Sequence, residues 1–406
     1  MSHLNSNDTA ALLRWYRENK RQLPWRNTGN PEDVWISEIM LQQTRVEAVK
    51  AYFTRFRSAL PTAAAIASCP DDTLMKLWEG LGYYSRARNL KKCAAVLLEK
   101  HEGQLPRDYH ALRALPGIGP YTAGAIASIA YRLPVPAVDG NVLRVWARLN
   151  ARTDDIAAVQ TRNSFSSEIE ALILEADQSS ADFSVSDFNQ ALMELGAVVC
   201  VPNGAPLCLL CPLRSSCRAY AEGKTESIPF RSPKKPRRIE PRTLLIIRDG
   251  ERFLLQKRPP QGLLAGLYEF PGISGVLTET EALTAVRALG FSPVHIQALP
   301  KGKHIFTHIE WHMSAWEIQV AEFSDADIRN SSPRADTSAY NPYNPSPYGT
   351  AQRISSDPED KPAAGTDTAS KTDEAGYILI RKADLQHFAV PSAFRTWINW
   401  YALKEK

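Results

Sequence analysis

Between Thr9 and about Gly223, apolar residues recur at helical spacing, and short Gly, Pro and Ser breaks separate one run from the next. "TAALLRWYREN" opens on a threonine able to cap. "PEDVWISEIMLQQTRVEAVKAYFTRF", "PDDTLMKLWEG", "SRARNLKKCAAVLLEK" and "DFNQALMELGAVV" repeat the pattern. Strand-type alternation is almost absent, so residues 1–223 read as an all-α domain. The texture changes in "TESIPFRSPKKPRRIEPR", a Pro-rich, basic stretch with few apolar anchors, which reads as an interdomain linker over 224–241. Beyond it, "TLLIIRDGERFLLQKR" joins two apolar runs through Asp249-Gly250, a hairpin signal. "TETEALTAVRALGF" reads as a helix, "KHIFTHIEWHMSAWEIQV" as strand, and "YILIRKADL" as a strand leading to a C-terminal helix. Residues 242–406 are therefore predicted to be mixed α/β. Within them, 324–375 is so polar that it cannot bury enough apolar surface to offset ordering entropy, which predicts a disordered insertion.

Composition narrows this picture only slightly. A chain of 406 residues, 44% apolar and 23% charged, is ordinary for a soluble protein of two or three domains. The net charge of +4 is too small to demand a nucleic-acid partner. Basic residues do cluster in "RWYRENKRQLPWR" and "SPKKPRR", as phosphate contacts require, although solvated helix faces and a linker account for them equally well. The opening "MSHLNSNDTAALLRW" lacks the apolar core of a signal peptide, and no apolar run is long enough to span a membrane. A cytosolic protein with reduced thiols is expected.

Six cysteines are present, and four of them, Cys200, Cys208, Cys211 and Cys217, fall in the pattern Cys-x7-Cys-x2-Cys-x5-Cys. Four thiolates in one short loop can close around a metal centre. Zinc sites usually show two Cys-x2-Cys pairs or a pair matched with histidines. Here only Cys208 and Cys211 form such a pair and no histidine is near, so the spacing favours a [4Fe–4S] cluster over zinc. Arg214 and Arg218 stand beside this loop, within reach of phosphates.

The stretch "LPGIGPYTAGAIASIAYRLPVPAVDGNVLRV" places two glycines, Gly117 and Gly119, before a helix and an isolated acid, Asp139, about twenty residues on. Such a hairpin can aim backbone N–H groups at an anion such as a DNA phosphate, and it can equally be a plain helix–helix turn. Cleaving a base from a sugar needs an acid for the leaving base and a carboxylate to stabilise the cationic sugar. Asp139 can serve as the second, or simply cap the helix that follows. Glu38, in "VWISEIMLQQT", has apolar neighbours whose burial would raise its pKa toward that of a useful acid. A solvent-facing glutamate on an amphipathic helix is the plainer alternative.

Together "LPGIGPYTAGAIASIAY", "AVDGNVLRV" and the four-cysteine loop resemble the helix-hairpin-helix DNA glycosylases that carry an iron–sulfur cluster. "LPWR", "WISEIMLQQTRV", "GLGYYSRARNL", "VDGNV" and "FNQALMELGA" narrow the resemblance to the adenine DNA glycosylases of the MutY type. The resemblance covers most of 1–223 and continues through the second domain. It implies an all-α glycosylase domain with the hairpin at 115–120 and the cluster loop at 200–217, followed by a Nudix-like α/β domain. It further implies a monomeric enzyme acting on duplex DNA in which adenine stands opposite 8-oxoguanine or guanine. Glu38 would protonate adenine, Asp139 would stabilise the sugar cation, and Tyr121 and Asn141 would support that centre. Arg26, Trp25, Leu41 and Gln190 would line the pocket of the flipped adenine, with core packing the plainer account of Trp25 and Leu41 and compatible with that role. Gln43 and Thr44 would probe the opposite strand, and Tyr83 would wedge into the stack.

The related endonuclease III type cuts the strand through a lysine Schiff base. The matching position here is Tyr121, so a hydrolase without an efficient lyase step is implied; a catalytically silent damage-binding protein is the remaining alternative. In the second domain "GLYEFPGI" fits the approach to a Nudix box. The box's carboxylates are replaced by Thr278, Val286-Arg287 and Gly290-Phe291, leaving Mg²⁺ no clear site and implying lesion binding. The family's Phe-Ser-His loop reads here Phe306-Thr307-His308, which keeps the hydroxyl and adds a methyl. The first cysteine gap is seven residues where the family has six, and the 324–375 insertion is foreign to the pattern.

Overall fold

The computed structural model describes residues 4–233, 236–323 and 376–403. The chain falls into two units, 1–234 and 235–406. The 324–375 segment lies outside the described residues.

The first unit is helical. Its helices are α1 (Ser6–Asn19), α2 (Pro31–Leu41), α3 (Val46–Ala59), α4 (Ala63–Ser68), α5 (Asp71–Trp78), α6 (Ser85–Lys100), α7 (Tyr109–Arg113), α8 (Pro120–Ala125), α9 (Gly140–Leu149), α10 (Val159–Ser179), α11 (Val185–Val198) and α12 (Arg218–Ala221). Polar caps start several of them: Asn5 for α1, Asn30 for α2, Asp139 for α9 and Ser184 for α11 each accept backbone N–H groups of the first turn. Leu12 and Tyr16 of α1, Trp146 of α9, Phe165 of α10 and Phe188 of α11 are fully buried in one cluster, against which Cys200, Cys211 and Cys217 pack.

Two local features place the site. Helix α2 is buried on every side from Asp33 to Met40, so it has no solvent face on which Glu38 could sit. The hairpin ahead of α8 turns on Gly117 alone, at φ +76°, where a Cβ would stand 2.7 Å from the Asn89 Cβ. Gly119 is extended and caps α8, followed by Pro120 in the first helical position, so the sharp turn expected of both glycines falls on one. A π-helical turn, Ile126–Ala130, continues α8. Gly124 lets α8 approach the backbone leading to Asp139: a Cβ there would meet the Pro136 carbonyl at 2.1 Å.

The stretch read as a linker is shorter than expected. Ile228 is buried in the first unit's core, its carbonyl accepts from Arg148 Nε at 2.7 Å, and Arg238 already opens a strand. One apolar anchor in a Pro-rich, basic run was enough to seat it.

The second unit is a mixed sheet with helices on both faces. The strands are β1 (Arg238–Asp249), β2 (Arg252–Lys257), β3 (Tyr268–Glu269), β4 (Gly272–Ser274), β5 (Pro293–Ile305), β6 (Ile309–Val320) and β7 (Tyr377–Arg381); the helices are α13 (Glu279–Ala288) and α14 (Arg395–Leu403). The order is β3-β2-β1-β6-β5, with β4 also on β1 and β7 also on β2; β1 runs parallel to β6 and the other pairs are antiparallel. Leu244 and Ile246 of β1 face a cluster with Trp311, Phe394 and Trp397, while Leu245 and Ile247 face Val286, Phe291 and Ile318. Burial on both faces explains why β1 reads as a continuous apolar run rather than an alternating one. Thr278, where a Nudix box would carry an acid, is the N-cap of α13 in a capping box with Glu281. The run 303–320, read as one strand, is broken: Phe306–His308 forms the turn between β5 and β6, closed by Phe306 N–H to Ile309 O at 2.8 Å. Apolar and β-branched residues continue through that turn, so periodicity gave no break.

Candidate active site

A cavity of about 1110 Å³ opens in the helical unit, lined from α2, α8, α9, α11 and the loops around Arg26 and Gln43. Glu38, Tyr121, Asp139, Asn141, Arg26, Trp25, Leu41, Gln190, Gln43 and Thr44 all line it. Tyr83, Gly117 and Gly119 do not; Tyr83 is exposed at the head of α6. Phe306, Thr307 and His308 belong to the second unit, with Thr307 and His308 exposed and Phe306 half-buried between His304 and Trp311.

The two carboxyl groups are held differently. Glu38 is buried, and its hydrogen bond among the described residues comes from the Tyr121 hydroxyl. Burial pushes its pKa up from 4.5 to about 7; the Tyr121 hydrogen bond opposes this, the Asp139 charge adds to it and the Arg26 charge opposes it. Burial also raises the Tyr121 hydroxyl well above its ordinary value, so it stays a donor, and it points at Met193 Sδ at 3.4 Å as well. Asp139 caps α9: Oδ1 accepts from Asn141 N–H at 2.9 Å and Val142 N–H at 2.8 Å, and Oδ2 from Asn141 Nδ2 at 2.7 Å. Burial raises Asp139 too, against the pull of these donors. One acid thus lacks backbone donors and the other has three hydrogen bonds that favour its ionised form. Such an arrangement sets two neighbouring carboxyls apart in role.

Around this pair the structure adds residues that sequence reading passed over. Glu194 is 1% exposed and sits on α11 four positions after Gln190, hence on the same helix face. It accepts from Arg26 Nη2 at 3.0 Å and from Arg21 Nε at 2.6 Å, and Arg26 Nη1 also donates to Arg21 O at 2.8 Å. Burial alone would raise the Glu194 carboxyl, but the two arginines hold it below its ordinary value. Arg26 is therefore oriented toward the cavity by a buried ion pair. The i, i+4 spacing from Gln190 was the available signal. Arg144 is a second omission: Nη2 donates to Asn141 Oδ1 at 2.9 Å and Gly196 O at 2.7 Å, and Nε to Cys200 O at 2.7 Å, linking the Asp139 cap to the cysteine loop. Trp25 lines the cavity while stacking edge-on against Phe53, so its pocket and core roles coincide.

Cys200, Cys208, Cys211 and Cys217, all unpaired in disulfides, surround a second small cavity together with Arg148, Arg214 and Tyr220. Arg148 is buried and its Nη1 donates to Cys200 Sγ at 3.3 Å. No three His, Cys, Asp or Glu among the described residues form a group that could hold a single metal ion.

Among known proteins, residues 36–171 match the family model described as "HhH-GPD superfamily base excision DNA repair protein", and residues 242–355 match a NUDIX domain. An adenine DNA glycosylase of Mus musculus is 38% identical over 357 residues, covering 74% of this chain and 68% of the relative. One from Arabidopsis thaliana is 40% identical over 316 residues, 68% of this chain, and the match spans 48% of that longer relative. One from Buchnera aphidicola is 33% identical over 318 residues, covering 77% of this chain and 86% of the relative. No described helix is long and apolar enough to cross a membrane.

Proposed function

The chain belongs to the adenine DNA glycosylase family, and from that premise we propose that it removes adenine standing opposite 8-oxoguanine or guanine in duplex DNA. It is a DNA N-glycosylase of base excision repair, a hydrolase of the bond between base and sugar. The observation that carries the residue assignment is the pairing of Glu38 and Asp139 in one cavity with unlike environments.

The extruded adenine enters the cavity and is held by Arg26, Leu41, Gln190 and Trp25. Glu38, protonated near neutral pH, gives its proton to the base. The C1′–N9 bond breaks with its electron pair leaving on adenine, which departs neutral. Asp139, ionised, stabilises the sugar cation through space, with Asn141 keeping its carboxylate aimed. Water adds to C1′ and returns a proton to Glu38. Tyr121 keeps the Glu38 carboxyl oriented, and no amine stands where a Schiff base would form.

The four-cysteine donor set and the Arg148 hydrogen bond to sulfur suit a [4Fe–4S] cluster held by Cys200, Cys208, Cys211 and Cys217. When bound, the cluster would cross-link the loop and present Arg214 and Arg218 to phosphates. The Gly117–Gly119 hairpin is assigned to the DNA backbone, Gln43, Thr44 and Tyr83 to the strand opposite the adenine. Phe306, Thr307 and His308 are assigned to 8-oxoguanine. We place the protein in the cytoplasm, where thiols stay reduced, acting as a monomer.

Single-turnover release of adenine from an 8-oxoguanine·A duplex tests the reading. Wild-type protein is expected to release adenine without a borohydride-trappable adduct, and Glu38→Gln is expected to bind the duplex and to release adenine about a hundredfold or more slowly. Trapping of a covalent adduct, or normal turnover by Glu38→Gln, refutes the proposed chemistry.

A further inference from the structure

Arg86 is 7% exposed, and it is not a cavity-lining residue. All five of its N–H groups are engaged. Nη1 donates to the carbonyls of Ile39, Met40 and Gln42 at 2.8, 2.8 and 2.7 Å; Nη2 donates to Thr44 Oγ1 at 3.2 Å and to Leu81 and Gly82 O at 3.0 Å each; Nε reaches Tyr83 O at 3.4 Å. The guanidinium also lies 5.5 Å from the ring centroids of Trp78 and Tyr83. Burial lowers its pKa to about 10, so it remains a cation at neutral pH.

These acceptors belong to two segments that sequence places forty residues apart. The first is the C-terminal end of α2, one turn after Glu38, with the turn Gln42–Thr44. The second is the loop that presents Tyr83. Each segment contains an exposed non-glycine residue in the left-handed region: Gln43 at φ +58° and Tyr83 at φ +47°. Such backbone is costly and persists only where surrounding contacts over-determine it. Arg86 bonds to the residues on either side of Gln43 and to the two residues before Tyr83, so one guanidinium holds both strained residues.

We propose that Arg86 is a positioning residue that couples Tyr83 on the DNA-facing loop to Gln43 and to the end of the helix carrying Glu38. Insertion of Tyr83 and seating of adenine near Glu38 then depend on one another. The proposal rests on the glycosylase reading for the excision part of its test, but not for the fluorescence part. A lysine cannot substitute: its three rotatable donors cannot serve seven acceptors in a fixed fork.

The test is a double-mutant cycle between Arg86→Lys and Tyr83→Ala, read by single-turnover adenine release from an 8-oxoguanine·A duplex. In parallel, fluorescence of 2-aminopurine placed beside the 8-oxoguanine reports unstacking by Tyr83. In the wild-type background Tyr83→Ala is expected to slow release and to remove the fluorescence rise. In the Arg86→Lys background both are already reduced, on the order of tenfold for release, and Tyr83→Ala adds nothing further. Thr44→Val, which deletes one acceptor without touching the core, is expected to show the same coupling at smaller size and decides the matter if Arg86→Lys does not fold. Tyr83→Ala costing the same factor with and without Arg86, or an unchanged fluorescence rise in folded Arg86→Lys, overturns the proposal. An inactive wild type that still shows the Arg86-dependent fluorescence rise would instead indict the reading of the reaction.

Discussion

Replacing Glu38 by glutamine removes one ionisable proton and almost nothing else, since the amide keeps an oxygen for the Tyr121 hydroxyl. The folded protein holds this carboxyl at about pKa 7 instead of 4.5, chiefly through burial. At about 1.4 kcal/mol per pH unit, keeping it ionised in the fold costs about 3 kcal/mol, an upper value because the cavity admits water. The sign follows from linkage. A carboxyl whose folded pKa is raised binds its proton more tightly in the native state, so its favourable contribution is complete below about pH 4.5 and is lost as pH climbs to about 7. Glutamine does not titrate. The variant should therefore match wild type near pH 4.5 and exceed it by up to about 3 kcal/mol above pH 7.5, while adenine release falls by about two to four orders of magnitude for want of the acid. Denaturant melts of both proteins across about pH 4.5 to 8.5, followed by helical circular dichroism, give the stability difference; single-turnover release gives the rate. A stability gap that stays constant with pH would mean that Glu38 titrates normally, and the buried-acid argument would fail whatever the activity.

Three further outcomes follow from particular contacts. Asp139→Asn keeps an N-cap acceptor but not the negative charge, so melts should move by no more than about 1 kcal/mol while single-turnover release drops by about a hundredfold or more; release within a few-fold of wild type would remove the charge from the mechanism. Gly117→Ala forces a Cβ into Asn89 at positive φ and should cost about 1–3 kcal/mol in melts and weaken duplex binding, whereas Gly119→Ala, extended and with open space around it, should be close to neutral; equal effects would contradict the asymmetry of the hairpin. Thr307→Val removes the exposed hydroxyl of the β5–β6 turn and should lower release from 8-oxoguanine·A by a few-fold, about the worth of one hydrogen bond, leaving G·A release unchanged. Parallel losses on both duplexes would count against a lesion-reading role.

What sequence disclosed and what it hid divide along a physical line. The helical period from Thr9 onward, the Asp249-Gly250 hairpin and the Asp139 cap are local signals, written within a few residues of where they act, and the structure carries each of them. Glu38 was ambiguous for the opposite reason. A glutamate among Ile36, Ile39 and Met40 reads alike on a half-exposed helix and on one surrounded by protein, and only packing of α2 on all sides decides between them. The partnership of Arg21 and Arg26 with Glu194 joins positions 173 and 168 residues apart, and no periodicity reports a contact of that range. The β5–β6 turn was hidden because its residues continue the strand composition, and the linker's first half because a single isoleucine was enough to anchor it.

The capping of α9 bears most directly on the chemistry. A helix N-cap first stands as the plain alternative to a functional Asp139, yet its geometry is what the proposed role needs. Two backbone N–H groups at the positive end of a helix, together with the Asn141 amide, favour the ionised carboxyl. Glu38, on the wall of the same cavity though far in sequence, has no such donors and is buried enough to raise its pKa to about 7. Desolvation raises the pKa of both groups, so what would separate the proposed acid from the proposed counter-charge is the hydrogen bonds each one accepts. A substitution that leaves both carboxyls in place but removes the Asn141 amide, such as Asn141→Leu, should then shrink that separation from the Asp139 side. Asp139 would titrate nearer Glu38, and the alkaline fall in release, set by Glu38, would be joined by an acid-side loss that begins at higher pH than in wild type.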